Sequence, residues 1–90
     1  MMPIDDLKKI IETAIPGARV LVRDLNGGLD HFHVEVVSET FRGKTLIEQH
    51  QMVQKPLRAA IDDDRIHALT IKTYLPESYA KKSNDLISLE

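Results

Sequence analysis

The chain has 90 residues, a formal net charge of −2 and a pI near 6.1. This length fits one domain with a single core, and the acidic balance excludes a broadly basic nucleic-acid surface. The sequence contains no cysteine, which excludes disulfides, thiolate nucleophiles and a metal or iron–sulfur centre built from the chain's own thiolates. No apolar run reaches the roughly 20 residues of a membrane-spanning helix, and the acidic start is unlike a signal peptide, so we expect a cytoplasmic protein.

The first half of the chain predicts a helix followed by two strands. Asp5 is a candidate N-cap for the helix, and alternating apolar residues predict strands at 18–25 and 31–37. The turn Asn26-Gly27-Gly28 between them tolerates positive φ, so we expect an antiparallel hairpin. The apolar face of the helix consists of Leu7, Ile10, Ile11 and Ala14.

The middle of the chain predicts a helix that stops and starts again. Thr45 and Glu48 have the spacing of a capping box, and Pro56 suits the first position of a new helix but not the interior of an old one. Residues 45–61 are therefore a helix-turn-helix candidate. One apolar stripe continues through both pieces, formed by Leu46, His50, Val53 and Leu57, which assigns His50 a structural role with a hydrogen bond inside the fold.

The last third predicts one strand and one short helix. Residues 66–73 alternate as a strand, Pro76 to Ala80 suit a helical turn, and residues 81–90 suit a flexible tail, so the domain spans 1–80. The order is helix, strand, strand, helix, helix, strand, helix. A helical crossover makes the second and third strands parallel, which predicts an α+β fold with a three-stranded mixed sheet and helices packed on one face.

Several segments carry a resemblance to one family. They are residues 31–38, 41–43, 49–53, 56–57 and 65–74. Together they resemble the BolA family over about residues 4 to 79, and most of all its short bacterial subgroup, which is linked to acid stress and iron handling. The resemblance implies a fold like a class II KH domain.

The resemblance also implies two functions. BolA-like proteins are described as partners of monothiol glutaredoxins that share a [2Fe–2S] cluster, and some are described as DNA-binding transcriptional regulators. The family's ligand histidine near the start of the third strand falls on His67, and a second ligand falls on or near His31, with His33 left open as the alternative. The thiolates would come from a glutaredoxin cysteine and glutathione.

The DNA-binding alternative depends on the helical region 45–61 and on four basic residues around it. Where many relatives carry Arg-His-Arg, this chain has Gln49-His50-Gln51, which removes two positive charges, and the chain lacks the Gly-x-x-Gly loop of a KH domain. The acidic residues near this region favour a mixed, solvated face. The candidate phosphate-binding residues are Arg42, Lys44, Lys55 and Arg58.

Enzymatic chemistry has no support in the sequence. We find no nucleophile with a neighbouring base, no phosphate-binding Gly-rich loop and no paired carboxylates at a catalytic spacing. The preferred hypothesis is a non-enzymatic adaptor in iron–sulfur and iron homeostasis. The sequence leaves open whether DNA is bound and whether the isolated chain is a monomer or a weak homodimer.

Overall fold

The structure, a computed structural model, describes residues 2–88, with side chains as far as Lys82. It contains α1 (Ile4–Ala14), β1 (Arg19–Asp24), β2 (His31–Val37), a 3₁₀ turn (Glu39–Phe41), α2 (Leu46–Asp62), β3 (Ala68–Tyr74) and α3 (Pro76–Ser88). With the 3₁₀ turn counted as the first of two consecutive helical segments, the predicted order of elements is confirmed. Among residues 2–88, no helix combines the length and the apolar character needed to cross a membrane.

The three strands form one mixed sheet with β2 in the centre. β1 pairs with β2 in antiparallel register, with Val22 opposite Val34. β2 pairs with β3 in parallel register, with His31 opposite Ala68 and Val34 opposite Ile71. The predicted hairpin and the predicted parallel pair are both confirmed.

One face of the sheet forms the core with α1 and α2. Phe32, Val34 and Val36 alternate along β2 and are fully buried on this face. Fully burying such a side chain stabilises a fold by about 1.5–3 kcal/mol. The helices contribute Leu7 and Ile11 from α1 and Val53 and Leu57 from α2, all with no exposed surface.

The third helix contacts the opposite face of the sheet. The rings of Tyr74 and Tyr79 lie edge to face with centroids 5.4 Å apart, and Lys82 Nζ lies 3.2 Å from Glu35 Oε2. The predicted packing of helices on one face of the sheet therefore holds for α1 and α2, whereas α3 contacts the opposite face. The helix also extends past Ala80, where we expect it to end, to Ser88. Flexibility of the tail 81–90 stays a prediction, and residues 89 and 90 lie outside the described residues.

The helix α2 continues through Pro56, so the helix-turn-helix that we predict over residues 45–61 is one helix. A proline inside a helix costs about 3 kcal/mol because its missing N–H and its ring disturb the turn before it. Val53 and Leu57 on either side of Pro56 are both fully buried against the same core. Burial of both residues against the same core requires the helix to continue in phase through Pro56. Tertiary packing therefore outweighs the helix-breaking tendency of the proline.

The ends of the helices differ in how well they are predicted. The capping box is confirmed, because Glu48 N donates to Thr45 Oγ1 at 3.1 Å and Thr45 N donates to Glu48 Oε1 at 2.9 Å. The predicted cap at Asp5 is wrong, because α1 begins at Ile4 and Asp5 lies in its first turn, where a carboxylate favours the helix dipole. The first residue of the predicted apolar stripe, Leu46, is 63% exposed, so the buried face of α2 starts further along the helix.

Candidate functional site

The hairpin turn between β1 and β2 is held by two of its own side chains. The Asp24 carboxylate accepts hydrogen bonds from Gly27 N at 3.0 Å and from Leu29 N at 3.3 Å, and Asn26 Oδ1 accepts one from Gly28 N at 2.9 Å. Gly27 and Leu29 have φ values of 80° and 57°, which allow the chain to reverse within a few residues. The turn therefore delivers Asp30 and His31 to the start of β2 in a defined conformation.

Because β2 and β3 are parallel, His67, which directly precedes β3, lies next to His31 at the start of β2. The main-chain oxygen of Asp30 accepts hydrogen bonds from His67 N at 2.7 Å and from Ala68 N at 3.2 Å. The imidazole rings of His31 and His67 lie with centroids 6.0 Å apart and planes at 79°. Two histidines that are 36 positions apart in the chain (67 − 31) thus become neighbours.

The Asp30 carboxylate lies between these two rings. Its Oδ1 is 2.8 Å from His31 Nδ1, and its Oδ2 is 3.0 Å from His67 Nδ1. The hydrogen bond with His31 lowers the pKa of Asp30 below its ordinary value, although partial burial opposes the shift. The Asp30 side chain is 23% exposed, whereas the rings of His31 and His67 are 39% and 50% exposed. Each ring contacts the carboxylate through Nδ1, and Nε2 of each makes no hydrogen bond to any described residue.

The geometry of the site distinguishes the three histidines of the sequence hypothesis. His67 and His31 lie side by side, whereas His33 Nε2 lies 3.0 Å from Glu35 Oε2 on the open sheet face. Asp30 is the site residue that sequence reasoning misses. The signal was a carboxylate directly before a candidate ligand, but an Asp in a turn is too common to indicate a role by itself.

The residues of the site can offer imidazole nitrogen to a metal but not a complete set of ligands. Within the part of the chain that the structure describes, no three His, Cys, Asp or Glu side chains converge as a metal centre. A metal-binding histidine commonly hydrogen-bonds through its other nitrogen to a carboxylate. Asp30 makes such a hydrogen bond with His31, and its Oδ2 lies 3.0 Å from His67 Nδ1. The pair is suited to binding a metal whose remaining ligands come from another molecule.

The four basic residues of the DNA-binding alternative lie on α2 and on the segment just before it. Arg42 forms ion pairs with Glu39 and Glu77, at 2.7 Å for the Glu77 carboxylate, and these contacts raise its pKa. Lys44 and Lys55 line a shallow groove beside α2. The remaining residue, Arg58, is exposed on the helix.

The fourth histidine of the chain, His50, has a place consistent with a structural role. It is half-buried on α2 and makes no hydrogen bond to a described residue. The hydrogen bond that we expect from its position on the stripe is therefore not observed among these residues. His50 lies on a different element from the residues of the Asp30 site.

Comparison with known proteins identifies the family. The model of the BolA family, described as BolA-like protein, matches residues 12–78. The chain belongs to the BolA-like family, which confirms the resemblance seen in the sequence. No family of enzymes is indicated by this match.

Relatives and solved structures agree with this assignment. The chain is 34% identical over 80 residues to the acid stress protein IbaG of Escherichia coli, covering 89% of this chain and 92% of that protein. It is 43% identical over 70 residues to the protein BOLA2 of Arabidopsis thaliana, covering 76% and 73% of the two chains. The structure of a BolA protein homologue from Coxiella burnetii superposes with a TM-score of 0.73 at 36% identity, covering 89% of this chain and 99% of that one.

Proposed function

We propose that this protein is a non-enzymatic adaptor that shares a [2Fe–2S] cluster with a monothiol glutaredoxin, in iron–sulfur and iron homeostasis and in the response to stress. The observation that carries the proposal is the pair His31 and His67, which lie 6.0 Å apart at an exposed edge of the sheet with one carboxylate contacting Nδ1 of both. This arrangement leaves Nε2 of each ring as the nitrogen for a ligand bond.

The ligand set of the chain fits a shared cluster better than a cluster of its own. A [2Fe–2S] cluster takes four ligands, usually thiolates, and this chain has no cysteine. Imidazole can replace thiolate on one iron, as it does in Rieske centres, and His67 with His31 are the residues that would supply it. The missing thiolates are those of the glutaredoxin active-site cysteine and of glutathione. When bound, such a cluster provides a redox-active iron unit that can pass between proteins.

The name of a relative supports a link to stress. The Escherichia coli protein that is 34% identical over 80 residues is called an acid stress protein. We extend this role to the present chain as part of the proposal.

The regulator hypothesis has weaker support from the same observations. Of its four basic residues, Arg42 is already paired with two carboxylates, and α2 is one continuous helix in place of the predicted helix-turn-helix. Lys44, Lys55 and Arg58 remain, on a chain with a net charge of −2. We therefore keep DNA binding as the alternative to be tested against the adaptor.

The direct test is to titrate a cluster-loaded monothiol glutaredoxin with this protein in the presence of glutathione and to record the visible spectrum. We expect the charge-transfer bands to change as a histidine replaces a thiolate ligand, and a heterodimer to elute that dissociates when iron is chelated. A spectrum that equals the sum of the two components, with no complex on gel filtration, would reject the proposal.

A further inference from the structure

Asp30 holds residue 67 through both its main chain and its side chain. The main-chain oxygen of Asp30 accepts from His67 N at 2.7 Å, and its Oδ2 lies 3.0 Å from His67 Nδ1. The main-chain hydrogen bond fixes the start of β3, and the ion-pair contact places the Asp30 carboxylate beside Nδ1 of the ring. Asp30 is only 23% exposed, although it follows directly on a surface turn.

The charge of the Asp30 carboxylate favours one position for the His67 proton. An ionised carboxylate presents only lone pairs, so at 3.0 Å from Nδ1 it favours the form in which this nitrogen carries the hydrogen. Neutral imidazole has one N–H, and a proton on Nδ1 leaves Nε2 with a bare lone pair. That lone pair is what a metal ion needs from a histidine.

His31 differs from His67 because two groups compete for its Nδ1. The Asp30 carboxylate is 2.8 Å from this nitrogen, and Asn26 Nδ2 is 2.9 Å from it. The Asn26 amide is oriented by Gly28 N, which donates to Asn26 Oδ1 at 2.9 Å, so its nitrogen faces the ring and can only donate. A hydrogen bond to the Asp30 carboxylate requires a proton on His31 Nδ1, whereas a hydrogen bond from the Asn26 amide requires that Nδ1 carries none. Asp30 therefore does not set the His31 tautomer alone.

We propose that Asp30 is a positioning residue that holds neutral His67 in the Nδ1–H tautomer, with Nε2 free for a metal, while Asn26 keeps His31 partly in the opposite tautomer. The use of this arrangement in cluster binding rests on the proposed function, but the tautomers themselves belong to the isolated protein. The proposal gives a physical reason for an order between the two ligands, with His67 prepared in advance and His31 adjusting when the metal binds.

The test measures the imidazole tautomers of the isolated, ¹⁵N-labelled protein by long-range ¹H–¹⁵N correlation at a pH where the rings are neutral. We expect His67 in the Nδ1–H form and His31 with a larger share of the Nε2–H form. Asp30→Ala should move His67 to the Nε2–H form, and Asn26→Ala should move His31 towards Nδ1–H. Asp62→Ala, which removes an exposed carboxylate at the end of α2, is the matched control and should change neither ring.

An Nε2–H tautomer for His67 in the wild-type protein, or a tautomer that Asp30→Ala leaves unchanged, would overturn the proposal. If Asp30→Ala fails to fold by circular dichroism, the wild-type spectrum and Asn26→Ala still decide, because they need no change at Asp30. With glutaredoxin present, Asp30→Ala should shorten the lifetime of the mixed cluster by about tenfold, the lower end of typical effects for such supporting carboxylates. Absence of any mixed cluster with the wild-type protein would reject the proposed function and leave the tautomer result standing.

Discussion

The Thr73 hydroxyl donates a hydrogen bond to Gln49 Oε1 at 2.5 Å, which ties the first turn of α2 to the end of β3. Gln49 Nε2 in turn donates to the main-chain oxygen of Lys44 at 3.0 Å. The resemblance to the BolA family implies an Arg-His-Arg segment where this chain has Gln49-His50-Gln51. In this chain Gln49 serves the packing of a helix on a strand.

Replacement of Gln49 should therefore reduce stability. We expect Gln49→Ala to lower the free energy of unfolding by about 1 kcal/mol, because the half-buried Thr73 hydroxyl and the Lys44 carbonyl lose a partner. Urea denaturation followed by circular dichroism measures the change. Gln51→Ala, an exposed glutamine two residues along the same helix, is the control and should stay within about 0.5 kcal/mol of the wild type. Equal losses for the two variants would contradict the role of Gln49.

Glu35 should make stability sensitive to acid. Burial alone would raise its pKa, but hydrogen bonds from His33 and Lys82 outweigh burial and lower the pKa below 4.5, its ordinary value. A carboxyl with a lower pKa in the folded state contributes stability above its unfolded pKa, and this contribution is lost as the pH falls through the folded value. Below about pH 4.5, the wild type should therefore lose stability more steeply than Glu35→Gln.

The measurement is the free energy of unfolding from denaturant curves at intervals between neutral pH and the acid range. Glu12→Gln removes an exposed carboxylate of α1 and should follow the wild-type curve. Parallel curves for the wild type and Glu35→Gln would contradict the contribution of Glu35.

Binding to DNA should be weak. With Arg42 paired to Glu39 and Glu77 and a net charge of −2, we expect a Kd for random duplex at physiological salt no tighter than roughly micromolar. Fluorescence anisotropy across a range of salt concentrations measures both the affinity and the number of phosphate contacts. Nanomolar, sequence-selective binding at physiological salt would favour the regulator over the adaptor.

Much of the fold can be predicted because its signals are local and repeated. Alternation along His31 to Val37 identifies a strand buried on one face, and a helix between two strands implies a parallel pair. The continuity of α2 could not be predicted, because the penalty of Pro56 is local whereas the burial of Val53 and Leu57 depends on the whole core. The exposure of Leu46 has the same origin, since only the assembled fold shows where the core ends.

The candidate site was predictable in part for a related reason. The resemblance to a family indicates His67 and His31, and the parallel register then places them side by side. Asp30 was not predictable, since its role depends on a carboxylate reaching two rings that are far apart in sequence. Contacts of this kind arise from the turn geometry and the strand register together, and neither leaves a pattern in the sequence.

A histidine variant series separates ligand residues from structural ones. We expect His50→Ala to lower the melting temperature, because it removes half-buried packing on α2, while the folded fraction still forms the mixed cluster. His31→Ala should stay folded and change the visible spectrum mildly. Unchanged melting of His50→Ala would remove its structural role.

The role of His67 as a cluster ligand is tested by the visible spectrum and cluster lifetime of His67→Ala mixed with cluster-loaded glutaredoxin and glutathione. Circular dichroism checks that the variant is folded. His67 is half exposed at the rim of the sheet, so its replacement should leave the fold intact. We expect a folded variant in which the spectrum of the mixed complex is lost or markedly changed and the cluster decays faster. A His67→Ala heterodimer whose spectrum and cluster lifetime match those of the wild type would contradict this role of His67.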